Sequence, residues 1–259
     1  TTIENLIGRQ PNLRAIFDEK NNNFKRPDLY IRDNVSDNGV VPSSGAISAS
    51  PDIIVRRNKI VKPNVYFGET SGTKFDNTLG YEVEAGQDNF IYIRNLNKGT
   101  SPSVLSTTDV YWSEVSSLPT PNLWNYIGTT NSMLVPNDNK LKVSDPITWK
   151  KGDIPGKGHY CFVGISGSPK DKKTLTQTEV SNFATSGLTW EGFKDLIRNN
   201  NNVAWRNFNV VDVYPDFRIV GPFDFNINGA FDKDRPFTLK IRHNLEKLDL
   251  VIPKTFDKD

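Results

Sequence analysis

The stretch from Ile154 to Ile165 limits what this chain can become more than any other part of it. A Pro155-Gly156 turn leads into Gly158-His159-Tyr160-Cys161-Phe162-Val163-Gly164-Ile165. Strand alternation puts Cys161, Val163 and Ile165 on one face and Tyr160 and Phe162 on the other, which predicts a strand buried on at least one side. Asn89–Asn95 and Thr108–Ser113 repeat the pattern, with Ile91, Ile93, Val110 and Trp112 as their inward sets. The expectation is a single core layer of Ile91, Ile93, Val110, Trp112 and Cys161, in which Cys161 is unreactive and Trp112 is costlier to truncate than Trp124.

These three segments have the character of strands B, C and F of an immunoglobulin-like sandwich, whose strand C Trp packs over the core. The predicted fold class is mainly β, an Ig-like antiparallel sandwich with a short helical insertion and extra C-terminal strands. The spacing of strands and turns does not suit βαβ units. Residues 1–47 read as an N-terminal arm or linker, with a short strand candidate at Asp28–Arg32. The sandwich occupies 48–168 and opens at Ser50-Pro51-Asp52-Ile53-Ile54-Val55. A helical crossover fills 169–202, where Thr176 and Glu179 form a capping-box pattern and Trp190, Phe193 and Ile197 recur at helical spacing. Strands resume over 203–213, 223–227, 237–241 and 248–252, either completing the first sandwich or making a second.

Bulk composition excludes several functions. Lys and Arg are scattered and the formal net charge is only +2, so there is no basic footprint for nucleic acid. No apolar run reaches the roughly 20 residues of a transmembrane helix. Cys161 is the only cysteine, which rules out an internal disulfide and a cysteine zinc cluster. The chain begins at Thr1 and has a single Met, and so reads as a processed or excised piece of a longer polypeptide.

Ser50–Val55, Phe90–Gly99 and Val110-Tyr111-Trp112 together resemble the cell-adhesion-related (CARDB-like) Ig-like domains of bacteria. Those domains pair a "PDL/I" opening strand with a hydrophobic strand ending in "N-x-G". The likeness covers about the middle 120 residues. It implies a secreted or surface accessory module that binds a protein or glycan.

The chemistry-bearing residues point the same way. The two histidines, His159 and His243, both lie where a strand meets a turn, and neither is near a nucleophile motif. Carboxylate pairs such as Glu82 with Glu84, or Asp232 with Asp234, keep a glycoside hydrolase open as a weaker alternative. The aromatic resource is Trp124 and Tyr126, which follow a Pro-rich loop and suit a sugar face or a protein anchor, while Trp112 and Trp149 belong to the core. Arg206 is a candidate for pairing an acidic partner. Asp33, Asp37, Asp232 and Asp234 lie in Asn/Gly-bearing turns and are candidate calcium ligands. A non-enzymatic binding module is therefore the first reading. A structural or targeting fragment of a bacterial toxin or larger assembly is the alternative, motivated by the amphipathic pattern of residues 1–20.

Overall fold

The computed structural model describes residues 25–115, 119–184 and 188–212. The proposed strands at 223–227, 237–241 and 248–252 lie outside these, as do His243, Asp232 and Asp234.

The fold is a mainly β sandwich. In the first sheet β4 (Asn89–Asn97) is central. It pairs antiparallel with β1 (Leu29–Tyr30), β2 (Ile53–Arg56), β8 (Lys142–Val143) and β9 (Ile147–Trp149). The second sheet runs in the order β3 (Val83–Glu84), β11 (Val203–Val211), β10 (Gly158–Gly167), β5 (Ser103–Glu114), β6 (Asn125–Thr129), and β7 (Met133–Val135) also pairs with β5. All of these pairings are antiparallel except β3 with β11. The predicted B, C and F segments thus fall as an Ig-like sandwich requires, B in one sheet and C beside F in the other.

The core between the sheets follows from strand parity. Ile53 and Val55 of β2, Ile91 and Ile93 of β4, Val110 of β5, Trp149 of β9, Tyr160 and Phe162 of β10, and Phe208 of β11 form one buried cluster. Phe162 stacks on Phe208 with centroids 3.8 Å apart, and Trp149 meets both rings edge-on. Each sheet is also covered on its outer face. Helix α1 (Pro63–Phe67) supplies Phe67 to a cluster with Ile54 and Tyr92. Helices α2 (Gln177–Ser181) and α3 (Trp190–Arg198) bring Val180, Phe193 and Ile197 onto Val163, Ile165 and Trp205. Thr176 caps α2 with the capping box the sequence predicts, and Thr189 caps α3.

This layering corrects the expected core. Cys161 does not share a layer with Ile91, Ile93, Val110 and Trp112; it lies on the outer face of β10, under the helices. Strand β10 is apolar on both faces because both are covered, so its alternation carries no mark of which face is inside. Cys161 is buried all the same, and burial pushes its thiol up to about 11. The burial of the two tryptophans also runs opposite to what that expectation assumed. Trp112 is only partly buried at the core margin, whereas Trp124 is buried and its indole N–H donates to Pro119 O at 2.9 Å.

Residues 28–47, assigned to an arm from sequence, are tied into the sandwich. Leu29 and Tyr30 pair with Asn97 and Leu96, Leu29 N donates to Asp171 Oδ2, and Ser43 N donates to Arg198 O at the end of α3. Arg32 reaches a buried ion cluster in which Asp52 accepts from Arg32 Nη2 at 2.7 Å and from Arg94 Nε at 2.8 Å. Burial alone would raise the Asp52 carboxyl, but the Arg94 and Arg32 guanidiniums overcome it and hold the group below the usual carboxylate range. Further guanidinium bonds go to carbonyls, Arg32 Nη1 to Lys74 O, Arg94 Nη1 to Thr73 O and Arg94 Nη2 to Pro51 O. The loop that covers the cluster is thereby fixed. Among the described residues no helix is long and apolar enough to cross a membrane.

Candidate functional site

Edge strand β6 carries the most developed surface chemistry. The chain approaches it through a 3-10 turn, Pro121–Leu123, and Trp124 then packs 5.9 Å from the Tyr111 ring. The next aromatic, Tyr126, is directly opposite Tyr111 in the β5–β6 register and meets it edge-on at 5.6 Å. Tyr111 and Trp124 are buried, while Tyr126 is 50% exposed. Buried aromatics thus form a base that presents one exposed ring.

Hydrogen bonds fix that ring. Lys173 Nζ is 2.7 Å from Asp109 Oδ1, Thr129 Oγ1 donates to the same oxygen at 2.5 Å, and Tyr126 Oη is 2.6 Å from Thr129 Oγ1. The single Thr129 hydroxyl proton is given to the Asp109 carboxylate, so Tyr126 donates to Thr129. The Tyr126 oxygen is then left as an acceptor toward solvent. Asp109 is buried and Lys173 nearly so, which makes the far end of this chain rigid. Tyr111 Oη is buried without a partner, and burial, with the Asp109 and Tyr126 charges adding to it, raises its pKa.

A groove of about 410 Å³ runs past the end of β5, lined by Trp112, Ser113, Glu114 and Asn122 to Asn125. Asn122 spends its amide oxygen on the Thr120 hydroxyl, and Asn125 its amide nitrogen on Leu123 O. The other halves of these two amides, with the exposed Glu114 carboxylate, leave the groove donors and acceptors beside apolar Trp112 and Leu123. Concave surfaces that mix apolar walls with a few polar groups are the usual form of small-ligand sites.

Of the residues singled out from sequence, the structure places Trp124 and Tyr126 at this surface, with Trp124 as support. Sequence reasoning missed Trp112, Leu123 and Glu114 as groove walls, and it missed the Asp109–Thr129 brace. The β-sheet register that brings these residues together is not written in local sequence. Arg206 lies elsewhere: Nη1 donates to Ser50 O at 3.0 Å, and the side chain adds positive charge near the Arg94–Asp52 cluster. The carboxylate pair Glu82 and Glu84 is engaged, Glu82 accepting from Asn209 N and Nδ2 and Glu84 from Arg57. His159 Nδ1 bonds Asn209 Oδ1 at 2.8 Å.

Asp33 and Asp37 do lie side by side, and three of their four oxygens are engaged locally, while Asp33 Oδ1 is buried without a hydrogen-bond partner. Asp37 accepts from Asp33 N and Gly39 N, and the Ser43 hydroxyl bonds Asp33 Oδ2. Burial, opposed by the Ser43 bond and increased by Asp37, pushes the Asp33 carboxyl up to about 8, so it is protonated at neutral pH. Among the described residues no group of three or more His, Cys, Asp or Glu side chains is placed to hold a metal ion.

No family model matches this chain. No curated protein matches it either. Among solved structures, a CARDB domain from Pyrococcus furiosus in complex with di-metal ions is 12% identical, covering 73% of this chain and 91% of that one at a TM-score of 0.31. AsqI with Zn is 9% identical over 73% of this chain and 40% of that one, at 0.35. A β-D-glucoside glucohydrolase from Trichoderma reesei is 13% identical over 35% of this chain and 13% of that one, at 0.24. At these scores the likenesses are distant.

Proposed function

We propose that this chain is a non-enzymatic binding module of a secreted or surface protein, and that it takes a saccharide at the β6 edge. The observation that supports this most is Tyr126, an exposed aromatic ring held from below by Tyr111 and from its hydroxyl by Thr129 and Asp109. A sugar presents an apolar face to such a ring and hydroxyl donors to its oxygen. A pre-fixed ring loses little freedom on binding. The groove at the end of β5 offers Trp112 and Leu123 for apolar contact and Glu114, Asn122 and Asn125 for hydroxyls. Glu82 and Glu84, the described carboxylate pair weighed for hydrolysis, are held in structural bonds, which favours binding over turnover.

A glycan array probed with the full chain, and with Tyr126→Ala and Trp112→Ala, tests this reading. Selective binding by the parent should fall at least tenfold in each variant while thermal unfolding of Tyr126→Ala stays near the parent's. An array with no binding, or binding indifferent to both substitutions, would reject it.

A further inference from the structure

The groove at the end of β5 contains a single charged side chain, Glu114, beside the aromatic wall of Trp112. These residues are two positions apart on β5, so strand alternation puts both side chains on one face, about 7 Å apart along the strand. Asn125 stands opposite Trp112 in the β5–β6 register and shares that face. The indole is fixed from the core side, with Tyr160 edge-on at 5.5 Å and Trp149 at 6.4 Å. Tyr160 is itself opposite Glu114 in the β5–β10 ladder, and its hydroxyl donates to Gly156 O at 2.8 Å. Among the described residues no Lys or Arg lines the groove, and Lys157, which precedes β10, is paired with Asp212 at 2.6 Å. Glu114 thus ends its strand exposed, with its negative charge facing a groove that holds no positive one.

The hydrogen-bonding groups on this face call for a donor. An ionised carboxylate only accepts, and Asn125, whose Nδ2 is spent on Leu123 O, offers its Oδ1 as a second acceptor. A sugar hydroxyl satisfies such acceptors but leaves the Glu114 charge without a counter-charge. An ammonium brings three donors, no acceptor and the opposite charge, and a cation within about 6 Å of an indole face is attracted by the ring as well. Charge complementarity also sets what the groove disfavours. A uronic or sulfated sugar would meet Glu114 with like charge and find no cation, while an N-acetyl group has lost the charge that the carboxylate attracts.

We propose that the saccharide taken by this chain bears a free amine, held as an ammonium between the Glu114 carboxylate, Asn125 Oδ1 and the Trp112 ring. This rests on the saccharide reading and adds to it the class of sugar. Because Glu114 is exposed, water and salt screen its pull, so the preference for the amine over a hydroxyl at the same position should be on the order of tenfold and no larger.

Titration calorimetry of the full chain, in mildly acidic buffer where the sugar amine is protonated, tests this with oligosaccharides of glucosamine, N-acetylglucosamine, glucose and glucuronic acid that share one linkage. The glucosamine oligomer should bind on the order of tenfold more tightly than the glucose oligomer, the glucuronic acid oligomer should bind least, and added salt should shrink the spread. Glu114→Gln keeps the shape and removes the charge. It should bring the ratio of glucosamine to glucose affinity to about one, with the melting temperature close to the parent's because the side chain is exposed. Glucose or N-acetylglucosamine oligomers that bind as tightly as the glucosamine oligomer, or a preference that survives Glu114→Gln, would overturn the inference and leave the saccharide reading standing. Failure of all four oligosaccharides to bind would also overturn it, and the saccharide reading falls with it only if the glycan array is empty too.

Discussion

The two faces of the sheet centred on β10 are both buried, yet they are held by different means. The inner face closes against a second sheet through interlocked rings, Trp149 against Phe162 and Phe208, each fixed by a strand with its own hydrogen-bonded ladder. The outer face is closed by two short helices whose hold is largely Val180, Phe193 and Ile197. Helices of five and nine residues are too short to stand alone in water, so this layer depends on the sheet far more than the sheet depends on it. Burial fractions alone make the two faces look equal. Their connectivity indicates that the outer layer can open while the sandwich stays closed.

Truncation gives the largest effect with which to break this comparison. Phe162→Ala should cost about 3 to 5 kcal/mol, because two sheets cannot collapse onto the void. Ile197→Ala should cost about 2 kcal/mol, the low end for such changes, because α3 can settle. Denaturant titrations measure both, and equal costs would mean that the helical layer is as integral as the second sheet.

A pH-dependent effect comes from Asp33, whose loop is pinned to the end of α3 by Ser43 N donating to Arg198 O. The folded Asp33 carboxyl is raised from 3.8 to about 8. Below about pH 4 it is protonated in both states. As pH rises from there toward 8, the unfolded chain gives up its proton while the folded one keeps it, so stability falls over that window. Asp33→Asn should flatten this part of the stability profile, measured by melting temperature between pH 4 and 9. An unchanged slope in the variant would remove Asp33 as the cause.

The smallest signal, and the sharpest for the comparison, is Cys161 labelling. Its thiol is buried beneath the helices, not between the sheets. Native labelling should therefore be slow, and it should be accelerated by Ile197→Ala more than global stability predicts. If labelling tracks global unfolding in both proteins, the two faces open together.

Much of the sandwich could be read from residues. The strands read at 89–95, 108–113 and 158–165 announced themselves by alternation, and α2 by its capping box, because these signals are local; the structure extends the strands to 89–97, 103–114 and 158–167. What could not be read was side. With Cys161, Val163 and Ile165 on one face of β10 and Tyr160 and Phe162 on the other, only the covering elements decide which set meets the second sheet. The surface at β6 was half legible for a related reason. Trp124 and Tyr126 stand out by type, but Asp109, Thr129 and Lys173 reach Tyr126 through the sheet register and a long-range ion pair. Leu29–Tyr30 was read as a strand candidate from its residues, but its partner β4, more than sixty residues away, was not, because pairing is not written in local sequence.

The tie between the first described strand and the end of the helical crossover has a consequence for how the molecule is made. Leu29 N bonds Asp171 Oδ2, 142 residues away, and the Asp28 carboxylate accepts from Asn201 Nδ2, 173 residues away. Neither bond can close until nearly the whole sandwich has been synthesised. Closing such distant contacts also slows β proteins in general, since chain entropy is lost before the contact repays it. During synthesis Leu29 and Tyr30 must therefore wait, apolar and unpaired, for partners that emerge more than sixty residues later. The nascent chain spends that interval exposed to association with its neighbours.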